Sequence, residues 1–169
     1  MRPQDVAILL KIVSKDTENW QLAEIANSLR ISISETSESL NRSRIAGLID
    51  YNKKKINRQN LLEFLEHGVR YVFPQELGTM VRGIPTAHSH ISMKNNFISD
   101  IDYVWPDNTG KTIGLKIEPF YPRQVEAVAE DETYYKLLSL VDVIRVGKVR
   151  EVKYAVAELK KEILHESSY

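Results

Sequence analysis

Cysteine does not occur in the 169 residues of this chain. Its absence excludes disulfides and thiolate metal sites and fits a reducing compartment. Long apolar runs are missing as well: no uncharged stretch approaches the ~20 residues that a membrane-spanning helix requires. The opening MRPQDVAILLKIVSKD breaks its apolar run at Lys11 and carries no basic leader followed by a cleavage site. These absences predict a cytoplasmic protein with no membrane partner. Net charge is also missing, because 23 Lys and Arg balance 23 Asp and Glu. Overall electrostatics therefore does not favour nucleic acid, and any DNA contact must come from a local patch. Residues 1–72 carry 11 basic against 9 acidic side chains and the remainder 12 against 14, an asymmetry that permits DNA binding without arguing for it. What is present, 43% hydrophobic and 27% charged residues, is the composition of an ordinary globular protein. The length is enough for a real hydrophobic core.

Helical periodicity dominates both ends. Val6, Ile8, Leu9, Leu10, Ile12 and Val13 predict a first helix with Pro3 in its first turn, where a missing N–H costs little. Asp16 to Asn19 is turn chemistry. Leu22, Ile25, Ala26 and Leu29 predict a second helix. After a break at Arg30, Ile31 and Ser32, the stretch SISETSESLNRSR predicts a third, with Ser34 placed to cap it. GLIDY and KIN read as short strands on either side of the polar turn NKKK, and RQNLLEFLEHGVRYVF resumes helical spacing through Val72. From Pro74 to about Tyr121 glycine and proline interrupt every helical pattern, and DYVW and KTIGLKIEPF read as strands joined by a hairpin turn, PDNTG. Helices return in PRQVEAVAE, DETYYKLLSLVDVIRV and VREVKYAVAELKKEIL. The predicted class is mixed α+β, with a boundary near Val72–Pro74 separating residues 1–72 from a smaller α+β unit, 73–169, that ends in helices.

The first 58 residues thus run helix, helix, tight turn, helix, strand, basic turn, strand, with Leu22-Ala23-Glu24, Ile31-Ser32-Ile33-Ser34 and Ala46-Gly47-Leu48-Ile49 at fixed places along them. This pattern resembles the winged helix-turn-helix domain of bacterial transcription regulators, including the multiple-antibiotic-resistance type. The resemblance covers about residues 3–72 and is most specific from Leu22 to Ile49. Ala26 would let the second and third helices approach, Ile31, Leu40, Leu48 and Ile49 would fill the core between them, and Gly47 would release the chain into the wing. Thr36 and Ser43 stand where the family usually has aliphatic residues, a loss of burial of order 1–3 kcal/mol each that Ile45 could offset. The resemblance implies that the third helix enters the major groove of double-stranded DNA. Its candidate contacts are Ser32, Ser34, Glu35, Ser37, Glu38 and Asn41 toward bases, with Arg42, Arg44 and the wing residues Lys53, Lys54 and Lys55 toward phosphates. The same residues have a plainer reading: glutamate early and arginine late on a helix suit its dipole, serines cap, and a lysine turn is solvated.

The second half offers weaker signals. Arg82, in RYVFPQELGTMVRGIPTAHSH, would grip an anion or a partner in a shaped loop, or else make an internal salt bridge in a loop wrapped on the first domain. His88 and His90 lie two apart, but zinc sites take three or four protein ligands and no third ligand stands at a partner spacing. They read as surface histidines, and no metal or cofactor is expected. Asp100 and Asp102 read as turn residues. No nucleophile, base and orienting group can be assembled, so no enzyme is expected. Val149, Val152, Val156, Leu159 and Ile163 form a narrow seam that can pack on Leu137, Leu138, Val141 and Ile144 or pair across a two-fold axis. A homodimer would present two reading helices to successive major grooves. The expected function is a sequence-specific DNA-binding regulator of transcription, autoregulatory or antitoxin-like with a protein partner as the resemblance implies. The alternative is a protein-interaction module that keeps the fold without binding DNA.

Overall fold

The apolar residues of the first helix leave no polar face, and a helix of that kind must be covered on all sides. In the computed structural model, which describes residues 1–165, α1 (Pro3–Lys15) is buried from Asp5 through Val13 and packs on both α3 (Ile33–Ile45) and α7 (Glu132–Val146). Its two buried charges each have a partner. Lys11 Nζ meets the Asp131 carboxylate at 2.7 Å, where Ser14 Oγ also donates at 3.0 Å, and Asp5 faces α3. Between α1 and α3 lies α2 (Leu22–Leu29), which ends at Arg30 in a left-handed conformation. The loop after α3 was predicted as two strands, but only one antiparallel bridge forms, Ile49 with Ile56. Two hydrogen bonds hold the turn beside it: Asn57 N–H to the Leu48 carbonyl and Asp50 N–H to the Lys55 carbonyl, both 2.9 Å. The next predicted helix divides at Gly68 into α4 (Arg58–His67) and α5 (Val69–Val72).

Three short strands follow: β1 (Met80–Pro85), β2 (Tyr103–Pro106) and β3 (Thr112–Lys116). β1 is antiparallel to both others, β2 and β3 are parallel, and the three close on themselves. The segment PDNTG is therefore not a hairpin turn, because the strands it joins run the same way. Gly83 sits where the strands crowd together, and a Cβ there would lie 2.0 Å from the Trp105 carbonyl oxygen. The loop between β1 and β2 begins with a 3-10 turn (Ala87–Ser89) packed on α7, so this segment does not wrap the first helices. Under it lies a buried polar group. Asp142 accepts from Thr86 Oγ1 and Trp105 Nε1, both at 2.7 Å, and from Arg145 at 3.0 Å. Burial pushes the Asp142 carboxyl up in spite of these donors.

The chain closes with α6 (Gln124–Val128), α7 and α8 (Val149–Leu164). Most of the α8 seam is an intrachain surface: Val156, Leu159 and Ile163 are buried and Val152 partly so, with α8 packed on α7 and α4, whereas Val149 at its start is 72% exposed. Contacts of α1 with α7, α2 with α6 and α4 with α8 join the two segments expected at 1–72 and 73–169. One contiguous apolar cluster runs from Val6 to Ile163. The change in texture near Val72 marks a change in secondary structure and not a break in the core. The fold class is mixed α+β, and among the described residues no helix is long and apolar enough to cross a membrane.

Candidate nucleic-acid interface

The third helix starts where Ser32 accepts the Glu35 N–H at 3.2 Å, so Ser32 is the cap and Ser34 lies inside the helix. Its inner face is Thr36, Ser39, Leu40 and Ser43. Thr36 Oγ1 bonds back to the Ser32 carbonyl at 2.9 Å, while the buried Ser43 hydroxyl has no partner among the described residues. Ile45 does not repair the lost apolar burial, because it is 71% exposed. Gly47, with φ at 79°, makes the left-handed turn out of the helix that an L side chain would resist.

Arg42 is placed differently from the sequence expectation of an outward phosphate contact. Its guanidinium grips the fully buried Asp5 carboxylate of α1, with Nε at 3.0 and 3.2 Å and Nη2 at 2.8 Å from the oxygens. Ser39 Oγ donates to the same carboxylate at 2.6 Å and the Arg2 N–H at 2.7 Å. Burial pushes this carboxyl up, but hydrogen bonds from Arg42, Ser39 and the Arg2 amide together hold it below the usual aspartate value. The hydrogen bond to Asp5 in turn raises Arg42 further above its ordinary range. Arg42 also reaches Glu35 at 3.0 Å, and Glu35 accepts from Gln4 and, at 3.5 Å, from Arg2. Both Glu35 and Arg42 are therefore engaged in locking α3 to the start of α1. Neither Asp5 nor Ser39 stands out in the sequence as functional. The available signal is a lone aspartate on an otherwise apolar helix, which needs a cation from elsewhere.

The face of α3 left open carries Ser34, Ser37, Glu38, Asn41 and Arg44, flanked by the exposed Ile33 and Ile45. Arg44 donates to Asn41 Oδ1 at 3.1 Å and lies 5.7 Å from the ring centroid of the exposed Tyr51. That contact joins the end of α3 to the turn closed by the bridge. Asp50 organises this turn by accepting the Lys54 and Lys55 amides at 2.8 and 3.0 Å, and those two amides hold its carboxyl below the usual range. The three turn lysines differ. Lys54 Nζ donates to the Trp20 carbonyl at 2.6 Å and lies 4.5 Å from its ring centroid, while Trp20 Nε1 returns a bond to the Lys54 carbonyl at 3.1 Å. Lys54 thus ties the turn to Trp20, two residues before α2. Lys55 faces Glu18 at 3.6 Å between two well-exposed side chains, a pair of the kind that contributes little and opens readily. Lys53 adopts a left-handed φ of 56° and forms no ion pair among the described residues. The cations available to an outside ligand are Arg44, Lys53 and Lys55.

The other candidates lie apart from this face. Arg82 is exposed on β1, donates to the Gly110 carbonyl at 3.3 Å and lines a pocket of about 410 Å³ with Val81, Pro106, Asp107 and Asn108, and it forms no ion pair among the described residues. His88 and His90 are buried, 6% and 3% exposed, not surface residues. His88 Nε2 bonds the Ile101 carbonyl at 2.9 Å, and His90 packs edge-on against Tyr135. No group of three or more His, Cys, Asp or Glu that could hold a metal occurs among the described residues. No known protein family, curated protein or solved structure matches the chain.

Proposed function

We propose that residues 3–72 act as a winged helix-turn-helix unit and that the protein is a cytoplasmic, sequence-specific regulator of transcription bound to double-stranded DNA. The observation that carries this reading is the open face of α3. Ser34, Ser37, Asn41 and Arg44 form a stripe of hydrogen-bonding groups, continuous through Tyr51 with an exposed lysine turn. Ser and Asn can bond base edges, Glu38 can accept from a cytosine amino group, and Arg44, Lys53 and Lys55 can meet phosphates. Arg42 and Glu35 position the helix in this reading and do not touch the duplex. A homodimer remains the arrangement that offers two reading helices, and most of the α8 seam is already occupied within the chain.

Selection from random-sequence duplexes, followed by fluorescence anisotropy across a salt series, tests the proposal. Three phosphate contacts per chain give a salt slope of about −2.7. Arg44→Ala should make it shallower by about 0.9, and Asn41→Ala should relax sequence preference. Failure to enrich any sequence, with no salt-dependent binding at low ionic strength, would remove DNA from the reading. The second reading, a protein-docking module of antitoxin-like character, is favoured by one observation: Ile33, Ile45 and Tyr51 are exposed around the same face, and DNA gives little reason for them.

A further inference from the structure

The start of α8 carries an exposed feature that the α3 face does not explain. Residues Asn96, Phe97 and Ile98 of the loop between the 3-10 turn and β2 face Lys148, Val149 and Arg150 across a groove of about 580 Å³. The Phe97 ring sits edge-on to Tyr154, 5.4 Å between centroids, and anchors one wall. Ile98 is fully exposed and Val149 is 72% exposed, so two large aliphatic side chains meet water at the rim of a concave apolar surface. The charge there is mainly positive: Lys148 and Arg150 line the groove beside one carboxylate, Glu151. The Glu151 carboxylate accepts the Lys148 amide at 3.0 Å and closes the helix terminus. Lys148, Arg150 and, one turn on, Lys153 form no ion pair among the described residues, whereas Lys161 further along the same helix pairs with Glu158 at 3.0 Å. Cations at a helix N-terminus oppose its dipole, so local stability does not account for them. They complement something acidic.

We propose that this groove docks a segment of a partner protein bearing an aliphatic or aromatic anchor flanked by aspartate or glutamate. The anchor fills the space between Ile98 and Val149, and the flanking carboxylates meet Lys148, Arg150 and Lys153. A second copy of this chain is disfavoured, since a two-fold contact would bring like charges together. A flat anionic membrane would leave the concavity unfilled, and a bare phosphate would leave the aliphatic rim without a role. No residue of α3 lines the groove. Helix α8 spans about 24 Å, and near its far end Arg58 at the start of α4 donates to the Ile163 carbonyl at 2.8 Å. A partner at the groove leaves the α3 face open, so this inference stands or falls separately from DNA binding.

The test is a selection of phage-displayed random 12-residue peptides on the immobilised full-length protein, with enriched peptides then measured by fluorescence anisotropy. The expected peptides carry a large apolar residue between acidic ones. Val149→Glu and, independently, the pair Lys148→Glu with Arg150→Glu should each weaken their binding at least tenfold. Peptides with acidic residues exchanged for lysine should regain affinity for the charge-reversed pair. All these positions are exposed, so an unchanged thermal transition is the check on folding. The proposal is overturned if no acidic peptides enrich or if binding ignores the substitutions. It is equally overturned if sedimentation shows a dimer that Val149→Glu dissociates, or if the wild type co-sediments with phosphatidylserine vesicles through these same residues.

Discussion

Single side chains show where this fold carries unmet cost. The Ser43 hydroxyl is buried in α3 without a hydrogen-bond partner among the described residues, a state that costs about 1–3 kcal/mol of desolvation. Replacing it by alanine removes the orphan and improves helix propensity. Ser43→Ala should therefore stabilise the protein by about 1 kcal/mol, read as a shift of the urea midpoint at constant slope. His90 is the second case. The Ser92 backbone N–H donates to its Nδ1 at 3.1 Å, which assigns the proton of the neutral ring to Nε2, and that atom is buried without a partner among the described residues. Burial first, and then nearby Lys136, hold the imidazole down at about 4 against an ordinary 6.5. Between those values the unfolded chain binds a proton that the folded chain refuses, so stability is complete above about pH 6.5 and falls as pH drops toward 4, by about 3 kcal/mol at most. Denaturation at pH 7.5 and 4.5 checks this against His90→Gln, which should show a smaller loss over the same window. Equal losses in the two proteins would assign the pH effect elsewhere.

At the scale of elements, the orientation of α3 depends on a carboxylate that belongs to α1. Asp5 is buried beneath Arg42, Ser39 and the Arg2 amide, and removing one partner of such a pair leaves an uncompensated buried charge. Arg42→Met, which leaves the fully buried Asp5 carboxylate without its cation, should cost about 3–5 kcal/mol, while a combined Asp5→Leu and Arg42→Met change should recover much of it. A double-mutant cycle by urea denaturation measures the difference, and additive losses would mean the pair is not coupled. This arrangement also shows what the sequence makes legible. Helices α1, α2, α3, α7 and α8 follow from local periodicity, and the α3 stretch carries its own cap and inner face. The partner of Arg42 lies 37 positions away, so helical spacing alone turned that side chain outward. The two strands expected around NKKK reduce to one bridge, and PDNTG links parallel strands, outcomes of tertiary pairing that no local pattern encodes. The two histidines look like surface residues because imidazole is polar, yet their burial comes from stacking on Tyr103 and Tyr135.

The whole molecule turns on which segment covers α1. A helix apolar on every side has no solvent face, and α1 divides its surface between α3 within the first 72 residues and α7 beyond them. On the α7 side Lys11 is buried with its ammonium against Asp131, 5.2 Å from the Tyr134 ring centroid. Without residues 73–165, Lys11 and Ser14 would lose that carboxylate and the apolar surface beside them would meet water. At about 25 cal/mol per Å², a few hundred Å² of newly exposed apolar surface represents several kcal/mol, comparable to the net stability of a small domain. A fragment of residues 1–72 is thus expected to retain helical content but to melt without a cooperative transition and to bind a hydrophobic dye, as a loosely packed state does. The full chain should melt in one step, with far-ultraviolet and near-ultraviolet circular dichroism coincident. A cooperative transition of the fragment with dispersed amide resonances would instead make residues 1–72 an autonomous domain, and the contact between α1 and α7 an interface between two folded units.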